Sequence, residues 1–163
     1  MLPAHCRYLF VEQCIGSAAV NFAINAAIAW LMFRSAASVP MWGQQSIASD
    51  TIGTTFFLPF LTGLIVTRMA QGRLRAGKLP ALNWTRVSHP ALDWLPRSTF
   101  RRSLTLGVAC ALTAAPPTII ALYAFDVGAL HLWPFVAFKA SFAAVLAAVV
   151  TPVIALWAIA EEG

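Results

Sequence analysis

RMAQGRLRAGKLPALNWTRVSHPALDWLPRSTFRR, residues 68–102, decides how the rest of the chain is read. It holds eight of the eleven Lys and Arg: Arg68, Arg73, Arg75, Lys78, Arg86, Arg97, Arg101 and Arg102. Asp93 is the one acid among them. A pair of long apolar runs lies on each side. Basic residues that flank apolar spans concentrate on the cytoplasmic face, where anionic headgroups attract them. The pattern therefore predicts an all-α membrane protein: four transmembrane helices as two hairpins joined by a basic cytoplasmic loop.

Composition points the same way. Of 163 residues, 60% are hydrophobic and 10% are charged, and the mean hydropathy is +0.75. A soluble domain carries about 45–50% apolar and about 25% charged residues. The length suits one integral membrane domain, 1–163. The net charge of +5 is gathered in one loop, so nucleic acid is not the implied partner. Trp84 and Trp94, beside those charges, suit a membrane interface. The expected partners are the lipid bilayer and anionic lipid headgroups at the basic loop. A homo-oligomer or larger membrane complex is also expected, because four helices are few to enclose a path. The expected location is a bacterial-type inner (plasma) membrane. Cys6, Cys14 and Cys110 are odd in number and form no C-x-x-C, which argues against a disulfide framework and a thiol-redox motif.

The spans are predicted at about 11–33, 51–69, 103–125 and 133–160, with the loop at 70–102. About 20 residues at 1.5 Å each cross a hydrocarbon core of about 30 Å. The first run is longer than a signal-peptide core and ends in Arg34, so it reads as a retained helix. With the basic loop inside, four crossings place both termini inside as well. Pro59, Pro116, Pro117 and Pro152 predict kinks. Asp50 or Thr51 is the expected N-terminal cap of the second helix, and Ser98 that of the third. Residues 35–49, with Trp42, and the turn around Asp126, Gly128 and His131 read as external loops. Residues 88–95 could lie as a short helix on the membrane surface.

Within the spans, polar residues are few enough to name. Gln13, Ser17, Asn21 and Asn25 are spaced by four and so share one helix face. Amides are expensive in lipid, so this stripe should face protein or water. It either bonds to Thr residues of the second and third helices or lines a hydrated path. Glu12 lies one turn inside the first span, and a membrane carboxylate is a functional candidate. Asp50 and Lys139 are expected at the external interface, Lys139 snorkelling outward at the level of Asp50, Asp126 and Arg34, where an ion pair with a carboxylate is expected. The candidate ligand-binding set is Glu12, Ser17, Asn21, Asn25, Asp50 and Lys139. Ala140, Ala144 and Ala148, with Ala143 and Ala147 beside them, permit close helix approach.

His5, His89 and His131 lie in separate segments and show no metal-ligand spacing. No phosphate loop, nucleophile elbow or paired-carboxylate motif is present, so no cofactor, metal or catalytic site is expected, and the chain reads as a non-enzyme. Two functions remain in view. One is a small transporter or permease-like protein that binds or moves a small solute or ion at the polar stripe. The other is a non-catalytic membrane subunit or assembly factor that binds a membrane-protein partner.

Overall fold

In lipid an apolar segment has no water to bond its backbone, and a helix lets it satisfy its own N–H and C=O groups. Four such helices form: α1 (Tyr8–Phe33), α2 (Ile47–Arg75), α3 (Thr99–Ala124) and α4 (Leu132–Ala160). All four are long and apolar enough to cross a membrane, which is the make-up of a multi-pass membrane protein. The computed structural model describes residues 8–77 and 98–160. Most of the basic loop, the surface helix expected at 88–95, Cys6 and both chain ends lie outside the described residues.

The helices outrun the apolar windows. α2 begins at Ile47 instead of 51 because Ser46, not Asp50 or Thr51, is its cap. The Ser46 hydroxyl accepts from the Ser49 N–H at 3.2 Å, and the Ser49 hydroxyl accepts from the Ser46 N–H at 3.3 Å. These two bonds satisfy donors that a helix start would otherwise leave orphaned. Thr51 instead donates its hydroxyl to the Ile47 carbonyl. Asp50 thus stands within the first turn. At the other end α2 continues to Arg75, since Ala70 and Leu74 extend its apolar face and Leu74 packs with Tyr8, Ala155 and Ile159. Arg73 and Arg75 in the last turn complement the helix dipole. Ser98 precedes α3 as its cap residue but makes no side-chain cap bond. Pro59, Pro116, Pro117 and Pro152 all lie inside helices that continue past them.

Packing runs in a row, α1–α4–α2–α3: α1 and α2 both lie on α4, and α3 lies on α2. α4 is the hub, with 50% of its most apolar window buried against 6% for α1 and 11% for α3. Its small residues make this possible. Ala140, Ala143 and Ala147 are fully buried, whereas Ala144 and Ala148 are only partly so. The alanine stripe is therefore largely spent inside the fold.

Two segments that read as external loops are joined in the structure. Strand β1 (Ser38–Pro40) pairs antiparallel with β2 (Ala129–His131), placing Val39 opposite Leu130. Val39 and Met41 bury with Phe33, Ile47, Phe135 and Val136, and the Phe33 and Phe135 rings meet edge to face at 4.8 Å. Trp42 stays exposed.

α2 and α3 approach closely through glycines. A Cβ on Gly107 would sit 2.8 Å from the Phe56 carbonyl oxygen, and one on Gly63 would sit 2.9 Å from the Ser103 Cβ. Phe60 meets Phe100 edge to face beside them at 5.6 Å. Arg102, read from sequence as part of the headgroup-facing basic run, is instead buried in this contact. Its guanidinium donates to the Thr67 hydroxyl at 3.3 Å. The cause is the early start of α3, which puts Arg102 on the helix face turned to α2.

Candidate functional site

α1 and α2 share α4 as a floor but are not closely packed on each other. The space between them is a cleft of about 1110 Å³. Its walls run from Val11 to Phe33 on α1 and from Ser49 to Arg73 on α2. At 1.5 Å per residue each wall is roughly 33–36 Å long, close to the thickness of a hydrocarbon core. Glu12, Ser17, Asn21, Asn25, Asp50 and Lys139 all line this one space.

The register of the three helices explains why. Asp50 pairs with Lys139, and Leu58 packs with Ala143 and Ala147, so α2 and α4 run in the same direction. The Ser17 hydroxyl lies 3.4 Å from the Ala147 carbonyl, and Phe33 meets Phe135, so α1 runs opposite to both. Four-residue steps then stack the helices in levels. Asn25, Asp50 and Lys139 share the first. Asn21, Thr54 and Ala143 share the second. Ser17, Leu58 and Ala147 form an apolar waist with one hydroxyl. Gln13, Thr62 and Thr151 share the fourth. We call the Asp50–Lys139 end of the cleft the upper chamber and the Thr62–Thr151 end the lower chamber, with Leu58 between them on α2.

The upper chamber holds a buried ion pair. The Lys139 ammonium donates to Asp50 Oδ1, with the side chains 6% and 13% exposed. Lys139 was expected to snorkel outward. It keeps the expected carboxylate partner, Asp50, but the pair is buried, because Asp50, in the first turn of α2, lies at its own level. One turn beyond, Phe33, Val39, Met41, Ile47, Phe135 and Val136 form an apolar cluster on the ribbon side, while Gln44, Gln45 and Ser49 line the rim of the cleft.

The asparagine stripe does not bond across to the threonines. Asn21 donates its amide to the Ser17 carbonyl at 2.9 Å, and Asn25 donates to the Asn21 carbonyl at 3.0 Å. The threonines do likewise: Thr55 bonds back to Thr51, Thr105 to Arg101 and Thr113 to Ala109. Each Asn therefore keeps its Oδ1 and one N–H without a partner among the described residues. In the lower chamber Thr151, 1% exposed, has a hydroxyl with no hydrogen-bond partner among the described residues. A buried polar atom left unpaired in this way costs free energy unless a water or a ligand reaches it.

At the opposite end Glu12 accepts from Arg73, which also lies over the Tyr8 ring at 5.1 Å. The sequence reading placed Arg73 in the loop at 70–102, outside the second span. Arg73 takes the role because α2 extends beyond its apolar window. Both members are partly exposed, at 46% and 36%, so this pair is solvated, unlike Lys139–Asp50. Tyr8 to Gly16 winds as a π-helix before α1 becomes regular at Ser17. Such i→i+5 turns are uncommon and often sit at functional sites.

Sequence reading missed Thr54, Thr62, Thr151, Arg73 and the rim residues Gln44, Gln45 and Ser49 as cleft-lining groups. Thr54 and Thr62 fall at four-residue steps from Asp50, a signal that was present. Thr151, alone in an apolar run, carried none. No group of His, Cys, Asp and Glu among the described residues could hold a metal ion. No protein-family model, curated protein sequence or solved structure matches this chain.

Proposed function

We propose that this is a small permease-like protein that binds a small solute within the α1–α2 cleft. The observation that carries the reading is the state of the asparagine stripe. Its amides bond only within α1, so their remaining hydrogen-bonding capacity is offered to the cleft. Side chains kept for helix packing would be spent on a neighbouring helix instead. In this reading the protein sits in a bacterial-type inner membrane, with both termini and the basic loop on the cytoplasmic side.

The direct test is water access. With the native cysteines replaced, Asn21→Cys in membrane vesicles should react with a water-soluble maleimide, while Phe22→Cys, on the lipid side, should not. An unreactive Asn21→Cys would mean a dry packing face and would end this reading. Orientation is tested separately. A reporter active only outside the cytoplasm, fused after Gly77, should stay silent, and activity there would invert the topology.

A second reading, a non-catalytic subunit whose partner places a membrane helix in the same cleft, rests on the cleft's apolar lips. Val20, Ile24, Met32, Phe57, Leu61 and Ile65 are all exposed along its length. A stoichiometric partner copurifying in mild detergent, together with an unreactive Asn21→Cys, would favour that reading over solute binding.

A further inference from the structure

From the upper chamber we infer the charge class of the ligand: a zwitterion, carrying a primary ammonium and an acid group a few ångströms apart, with an apolar substituent. The inference rests on the reading of the cleft as a solute site. It begins with Lys139 and Asp50, which neutralise each other in a place largely shut from water. Burying two charges is tolerable when they are paired, and removing one partner strands the other. Any ligand that competes for this pair meets that constraint.

A simple anion that took Lys139 would leave Asp50 buried without its counter-charge. A simple cation that took Asp50 would strand Lys139. A zwitterion avoids both. Its acid oxygen meets the ammonium, its own ammonium meets the carboxylate, and one buried ion pair becomes two with no net charge added. The groups at hand fit that exchange. Lys139 has three N–H donors and, among the described residues, Asp50 as its one hydrogen-bond partner. The second Asp50 oxygen accepts no hydrogen bond among the described residues. Asn25, at the same level, and Asn21, one turn on, add amide donors and acceptors suited to the ligand's remaining polar atoms.

The apolar substituent is argued from the walls. Beyond the upper chamber the cleft is bounded by Ile24, Ile28, Phe57, Leu58 and Leu61. These offer no polar group but accept a branched or aromatic side chain, or the start of an acyl chain. The shared chemistry therefore covers a free apolar amino acid and a lipid with a zwitterionic amine headgroup. The Glu12–Arg73 pair makes no comparable selection, because water screens charges that are this exposed.

The test compares three probes with the same branched substituent on the protein in detergent: leucine, 4-methylpentanoate, which lacks the amine, and 3-methylbutylamine, which lacks the carboxyl group. Calorimetry should show leucine binding more than about tenfold tighter than either single-charge analogue. Asp50→Asn should reverse the order in favour of 4-methylpentanoate, because the freed ammonium then needs a plain anion. If Asp50→Asn does not fold, the wild-type ranking alone decides. Equal binding of leucine and either analogue would overturn the inference. So would the absence of both leucine binding and any preference for phosphatidylethanolamine over phosphatidylglycerol in nanodiscs, in a protein whose Asn21→Cys is labelled. An unlabelled Asn21→Cys would instead mark failure of the underlying cleft reading. Competition by phosphatidylethanolamine in place of leucine binding would support the zwitterion and identify its source as a lipid headgroup.

Discussion

Lys139→Met should destabilise the protein by about 3–5 kcal/mol, the largest loss expected of any single side-chain change here. Methionine nearly matches the lysine stem in volume, so packing against α2 and α1 is kept. What changes is the charge left behind. Asp50 is mostly buried and receives its one side-chain hydrogen bond, among the described residues, from Lys139. Its place in the first turn of α2 gives some relief, since the helix N-terminus favours a negative group. That relief is typically about 0.3–1 kcal/mol, too little to offset a stranded carboxylate. The double variant Asp50→Asn/Lys139→Met removes both charges and should recover most of the loss. Thermal unfolding in detergent measures all three proteins. A single Lys139→Met variant as stable as the wild type would mean that the pair is solvated and that the chamber is not a low-dielectric site.

Gly107→Val should separate α2 from α3. Even a single Cβ at this position meets the Phe56 carbonyl oxygen at 2.8 Å and two Phe56 ring carbons at 3.3 Å. The carbonyl is backbone in the middle of α2, so relief requires moving the helix itself. Overpacking of this kind costs about 1–3 kcal/mol for small additions, and valine adds two further methyl groups. In a membrane the loss is hard to recover, because helix association there depends on close contact and not on expelling water. The Arg102–Thr67 bond and the Phe60–Phe100 contact should weaken together. Gly72→Ala is the control. Nothing lies within 4 Å of its added Cβ, and replacing glycine in a helix should stabilise by up to about 1 kcal/mol. A cysteine crosslink between positions 60 and 100 reports the separation. An unchanged crosslinking yield in Gly107→Val would show that the α2–α3 contact tolerates the extra volume.

The four helices were legible because apolar length is a signal that neighbouring elements cannot erase. Their ends were less so. α2 was read as stopping at 69, and its last turns are helical because Leu74 finds Tyr8 on α1, a contact absent from local sequence. The same extension hid Arg73 as the partner of Glu12. The spacing of Gln13, Ser17, Asn21 and Asn25 revealed a shared face, but not that its amides would bond to their own helix. A hydroxyl or amide has a carbonyl one turn back wherever it stands, so spacing cannot distinguish the two outcomes. The three-residue strands β1 and β2 are too short to show alternation, and their pairing is a long-range event.

That ribbon, together with the packing of α1 on α4, has a consequence for the order in which the chain is made. Ser38 and His131 are joined across most of the sequence, and Phe33 waits on Phe135. α2 and α3 can meet as soon as both have left the ribosome. α1 cannot, because its main neighbour, α4, is the last of these four helices to be synthesised. Until then Gln13, Ser17, Asn21 and Asn25 must reside in a membrane with no finished chamber to receive them. Contacts so distant in sequence are slow to form. The first helix is therefore an orphan during biosynthesis, and any quality-control factor that detects unassembled polar helices would meet it before α4 arrives.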